Sequence, residues 1–135
     1  MIVLTRVAEK EPIQKVWKFI KSYVQTAVNA SRKSHDMETV ADNLLSGKTE
    51  LWVAWDTEKK EAKGFIIAKP DPVKGEYRIE LIGGTHRKRW AERVEVLADR
   101  ARALGCKEVT GDFTRAICRD LSMFSVTHYH ARLAV

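Results

Sequence analysis

The sequence predicts a single mixed α/β (α+β) domain, in which a mostly antiparallel central sheet is flanked by helices. Three observations carry that expectation. The chain has 135 residues, close to the commonest domain size. It is 44% hydrophobic with only 7 Gly and 3 Pro, which is enough to build a core with few breaks and argues against a collagen-like or disordered chain. The apolar residues switch between helical and strand spacing along the chain, giving the order β-α-α-β-β-β-α-β-α-β over residues 1–135 without internal repeats or low-complexity linkers.

Ile2, Val3 and Leu4 form a first strand. Pro12 then stands in the first turn of a helix, where a missing N–H leaves no intrahelical bond unmade. Ile13, Val16, Trp17, Ile20, Val24, Ala27 and Val28 follow at three- and four-residue spacing, with Lys15, Lys18 and Ser22 on the other side. After a polar stretch at 29–34, Met37, Val40, Ala41, Leu44 and Leu45 share the face of a second helix, and Gly47 supplies its stop. From Glu50 the period becomes two: Leu51, Val53 and Trp55 alternate with Trp52 and Ala54. A charged turn at 56–61 leads to a returning strand at 64–68, which Pro70, Asp71 and Pro72 end. Tyr77, Ile79 and Leu81 complete a meander closed by Gly83 and Gly84. In the next helix Trp90, Val94, Leu97, Ala101 and Leu104 project within about 80° of one another, opposite Glu92, Glu95 and Asp99, and Gly105 ends it. A buried strand at 106–110 follows, then a turn at Gly111 and a short helix holding Ala116, Ile117 and Leu121. The last strand, 126–135, turns Tyr129, Ala131, Leu133 and Val135 to one face and His128, His130 and Arg132 to the other.

Composition narrows the partners. Net charge is +6, which admits nucleic acid, an acidic surface or a phosphorylated ligand. Residues 1–70 and 71–135 each hold 12 basic and 9 acidic side chains, so no basic tail carries the excess. Cys106 and Cys118 lack the density of a disulfide scaffold and the spacing of a zinc or redox site, as expected of a reducing, cytosolic origin. The apolar run at the N-terminus is too short for a signal peptide, and no run approaches 18 apolar residues, so no membrane partner is expected. His128 and His130 share a strand face without an identifiable third ligand, and no metal site is expected.

The element order resembles that of the GNAT-type N-acetyltransferase superfamily across nearly the whole chain. His86-Arg87-Lys88-Arg89-Trp90-Ala91 stands where that family has its Gln/Arg-x-x-Gly-x-Gly/Ala loop, the stretch 101–109 resembles its helix end and fifth strand, and Met123-Phe124 replaces its usual Gly-Phe. The resemblance implies a site for acetyl-coenzyme A at Gly83, Gly84, Arg87, Lys88, Arg89, Trp90 and Ala91, and a general base at Glu80. Two departures count against turnover. Arg89 takes the place of the glycine that lets backbone N–H groups approach the pyrophosphate, and Arg119 takes that of a tyrosine used as general acid. The Gly-Gly after the strand, the Trp-Ala in the helix and the Leu-Gly-Cys-x-x-Val junction also resemble short acetyltransferase-like proteins of tailed-phage structural gene clusters.

The leading expectation is therefore a GNAT-fold protein with a degenerate coenzyme loop. It would bind other virion proteins as a non-catalytic structural component, first in the host cytoplasm and then in the particle, with no cofactor. The alternative is an acetyl-coenzyme A dependent N-acetyltransferase. The third is a basic domain holding nucleic acid or another phosphate-bearing ligand at Arg87, Lys88, Arg89, Arg93 and Arg100, where cations at a helix start invite an anion. Glu76, Arg78 and Glu80 share a strand face, so an ion pair with Arg78 is the structural alternative to a catalytic Glu80.

Overall fold

The computed structural model describes residues 1–31, 35–112, 125–127 and 130–134. Its elements are β1 (Ile2–Val7), α1 (Lys10–Ala30), α2 (Met37–Leu45), β2 (Glu50–Asp56), β3 (Glu61–Asp71), β4 (Glu76–Gly84), a one-turn α3 (Arg87–Trp90), a 3-10 turn (Ala91–Val94), α4 (Glu95–Ala103), β5 (Glu108–Asp112), β6 (Ser125–Thr127) and β7 (His130–Ala134). They build a seven-stranded sheet in the order β1-β2-β3-β4-β5-β7-β6. Every neighbouring pair is antiparallel except β4 with β5. A parallel pair needs a crossover, which α3, the 3-10 turn and α4 supply.

Helices cover both faces of β2, β3 and β4, which explains why these strands are buried on both sides. Leu51, Val53, Phe65, Ile67 and Leu81 pack beneath Ile13, Ile20 and Val24 of α1 and Leu44 of α2. Trp52, Ala54, Ile66, Tyr77 and Ile79 pack on the other face with Trp90, Val94, Leu97 and Ala101. Asp36 caps α2 by accepting from the Thr39 N–H at 2.8 Å, a geometry that satisfies one orphan donor of the first turn. None of the described helices is long and apolar enough to cross a membrane.

Three expectations about the elements are corrected. The helix expected at 90–104 is divided, because Trp90 is drawn into the core and its backbone (φ −124°) leaves helical geometry. The returning strand continues through Pro70 to Asp71. Past Ala68 it has no β2 partner, so Pro70 lies on a strand edge, where proline is tolerated. In place of the single strand expected at 126–135 there are two antiparallel strands, with Thr127 opposite His130 and Ser125 opposite Arg132; the face expected to be shared by His128 and His130 lies outside the described residues. The helix with Ala116, Ile117 and Leu121 lies outside the described residues, as do Cys118, Arg119, Met123, Phe124, His128, Tyr129 and Val135.

Candidate active site

The sheet opens between β4 and β5. Their ladder runs from Glu76 opposite Glu108 to Ile79 opposite Gly111 and stops there, while β4 continues to Gly84 beside β3. Among the described residues, 80–84 therefore have a strand neighbour on one side only. A β-bulge falls at the same point: Ala68 pairs with Ile79 and Ile67 with Leu81, which leaves Glu80 as an extra residue. Bulges redirect a strand and the side chains on it. Here Ile79 packs on the α4 side and Leu81 on the α1 side.

At the end of β4 the backbones of two strands come into close contact. Gly84 has φ +128°, and a Cβ there would stand 2.3 Å from the Gly64 Cα and the Lys63 carbonyl oxygen. The Thr85 N–H donates to that same carbonyl at 2.7 Å. The chain then turns at His86, a left-handed residue with φ 55°, and enters α3. Trp90 is fully buried, its ring against Gly64, and its Nε1–H donates to the Thr85 carbonyl at 2.9 Å.

These contacts revise the coenzyme site read from sequence. Trp90 is core and presents no surface to a ligand. Gly83 is buried, and a Cβ there would meet Phe65, the Tyr23 carbonyl and Ala27, so its missing side chain admits α1. Gly84 likewise admits Gly64. Arg87 is half-buried, and Lys88 and Arg89 are exposed; Ala91 lies in the 3-10 turn. Arg93 is exposed as well.

Arg100 is corrected outright, because it faces inward from α4. Its Nε and Nη2 donate to the two carboxylate oxygens of Glu50 at 3.1 and 2.6 Å. Tyr77 donates its hydroxyl to Glu50 at 2.5 Å and accepts from Trp52 Nε1 at 2.9 Å, with Arg6 at 3.8 Å. Burial pushes Glu50 toward a higher pKa, but the hydrogen bonds from Arg100 and Tyr77 and the charges of Arg100 and Arg6 outweigh it and hold the carboxyl below its ordinary range. Burial, then the bond to Glu50, push the Tyr77 hydroxyl up, so it remains a donor. A folded-state pKa below the unfolded one adds stability above the ordinary glutamate range, and that stability is lost as pH falls through the depressed value. Urea midpoints of wild type and Glu50→Gln should accordingly differ most at neutral pH and converge in acid; parallel curves would count against the network.

Glu80 also departs from the expected ion pair. Arg78 reaches Asp112 of β5 at 2.8 Å instead, and Glu80 is a half-buried carboxylate without an ion-pair or hydrogen-bond partner among the described residues. It stands where the sheet divides, so a base at this position would meet a ligand in the opening. Thr110, fully buried beside this split with an unpaired hydroxyl, carries no sequence signal, since a threonine in a strand reads as ordinary.

No protein-family model matches the chain, and no curated protein matches it. Solved structures do. Tetrahymena GCN5 superposes with a TM-score of 0.68 at 7% identity, over 100% of this chain and 96% of that one. A GNAT family acetyltransferase from Brucella melitensis in complex with acetyl-CoA gives 0.66 at 14% identity, over 99% and 88%. This chain has the GNAT acetyltransferase fold. The PaiA N-acetyltransferase of Thermoplasma acidophilum in complex with coenzyme A, another of the matches, gives 0.64 at 11% identity, over 100% and 99%. The GNAT architecture expected from sequence is thus present, with its mostly antiparallel sheet and flanking helices.

Proposed function

We propose that this GNAT domain is an acetyl-coenzyme A dependent N-acetyltransferase. The observation that carries the reading is the edge of β4 from Glu80 to Gly84, which among the described residues has a strand neighbour on one side only and begins where the β5 ladder ends. Free N–H and C=O groups on a strand edge pair with an extended chain that bears amides, and the pantetheine arm of the coenzyme is such a chain. Arg87, Lys88 and Arg89 stand just beyond, where the coenzyme's phosphates need positive charge.

When bound, the coenzyme would supply a thioester, its acetyl carbon passing to an amine nitrogen while the C–S bond breaks and the coenzyme leaves as its thiolate. Glu80, at the bulge and without an ion-pair or hydrogen-bond partner among the described residues, takes the proton that the amine gives up. The β4 edge fixes the carbonyl's approach, and positioning of this kind contributes much of the acceleration in a two-substrate reaction. Arg89 is exposed, so it can lie beside a diphosphate rather than in its place.

The matched structures are acetyltransferases, some holding coenzyme A or acetyl-CoA, which supports turnover over a non-catalytic role in a phage virion. The nucleic-acid reading weakens because Arg100 is committed to Glu50. Calorimetry with acetyl-CoA tests the proposal. Binding in the micromolar range is expected, weakened about tenfold or more by Arg87→Glu, a reversal of charge beside a phosphate. No binding by the wild-type protein would return the domain to a non-catalytic role.

A further inference from the structure

The parallel ladder between β4 and β5 is short and ends weakly. Its four register pairs run from Glu76 with Glu108 to Ile79 with Gly111, and parallel pairing is slightly less stable per residue than antiparallel pairing. The last partner on β5 is a glycine, which offers Ile79 no side chain to pack against. One residue further on, Asp112 is still paired with His130 of β7, so β5 follows β7 while β4 follows β3. Backbone pairing alone leaves the fork between them ready to open further.

A side-chain bond crosses this fork. Arg78 Nη2 donates to Asp112 Oδ2 at 2.8 Å, a diagonal contact in which Arg78 lies opposite Thr110 and Asp112 stands two residues beyond Thr110, past the last ladder pair. Alternation puts both side chains on the face opposite α4, because Tyr77, Ile79 and Val109 join the core on the α4 side. The bond therefore ties the last paired stretch of β4 to the first residue of β5 beyond the ladder. On β4 itself, Arg78 stands two residues before Glu80 and the bulge.

We propose that Arg78 is a positioning residue for the coenzyme: its ion pair with Asp112 is a clasp that fixes how wide the split opens beside Glu80 to Gly84. The inference rests on the acyl-transfer reading, which lays the pantetheine arm along that edge of β4. Arg78 acts through the separation of the two strands and not by touching the coenzyme. A clasp of this kind holds the split at its binding width before a ligand arrives, and affinity gained by such preorganisation is lost when the clasp is removed. The two side chains are 27% and 49% exposed, and ion pairs that water reaches contribute little to overall stability. The same small energy bounds what the pair can do to a local equilibrium, at about three- to fivefold.

Calorimetry with acetyl-CoA on the wild type, Arg78→Met, Asp112→Asn and the double variant tests the clasp. Each single variant should bind about three- to fivefold more weakly, and the double variant no more weakly than either single one, because all three remove the same bond. Arg78→Lys should restore most of the affinity, since the bond comes from a single guanidinium nitrogen that an ammonium can replace. The gap between wild type and Arg78→Met should narrow as salt rises, while the thermal midpoints stay within a few degrees of one another. Wild-type affinity in Arg78→Met, losses that add in the double variant, or an Arg78→Lys protein as weak as Arg78→Met would overturn the clasp. Failure of the acyl-transfer reading has a different signature: the wild type itself would not bind acetyl-CoA, and the clasp would fall with it.

Discussion

Replacing Gly84 with alanine is expected to destabilise the domain by about 3 kcal/mol or more. Two costs combine at this position. The φ of +128° is strained for any residue with a side chain, at about 1–3 kcal/mol. The new methyl would also stand 2.3 Å from the Gly64 Cα and from the Lys63 carbonyl oxygen, and both of these are backbone atoms held in the β3–β4 ladder. Overpacking of this kind adds about 1–3 kcal/mol when neighbours can shift; here a shift would also disturb the Thr85 bond to Lys63. Gly47 is the matching control. Its φ is +82° but nothing lies within 4 Å of a Cβ there, so Gly47→Ala should cost about 1–2 kcal/mol from conformation alone. Urea denaturation of both variants checks the contrast. Similar losses at the two sites would mean that the contact between strands is loose.

Periodicity made most of the architecture legible because most of the chain obeys one local rule at a time. The apolar stripe of α1, the two-residue alternation of β2 and the glycine stop after α2 are each written within a few residues of the element they define. The bulge at Glu80 is not written that way. Ile79-Glu80-Leu81 reads as plain alternation, and only the packing of Ile79 under α4 and Leu81 under α1 shows that a residue has been added. Arg100 failed for a related reason: a helical projection places it on a basic flank but contains no information about Glu50, fifty residues earlier on another element. Gly83 and Gly84 read from sequence as the close of a meander and as part of a coenzyme site, but what lies against them is the protein itself. The opening between β4 and β5 depends on where a parallel ladder stops, a property of two strands joined through the divided crossover helix, and so it had no local signature.

Trp90→Ala is the second large effect, about 3–5 kcal/mol, and it joins stability to the proposed function. The indole is 0% exposed and fills the space left by the absent side chain of Gly64, so truncation empties a cavity bounded on that side by strand backbone, which cannot move in to fill it. Large-to-small changes at such sites fall at the upper end of their range. The Nε1–H adds a second role, because its bond to the Thr85 carbonyl ties the helix start to the end of β4. Trp90→Phe separates the two roles: it keeps most of the ring volume but removes the donor to the Thr85 carbonyl, a hydrogen bond worth about 0.5–1.5 kcal/mol. If the turn at Thr85 and His86 positions Arg87 to Arg89 for the coenzyme, Trp90→Phe should weaken acetyl-CoA binding more than its modest loss of stability implies. Calorimetry beside urea denaturation measures both. A variant that loses stability yet binds as wild type would show that the indole anchors the core without setting the geometry of the basic turn.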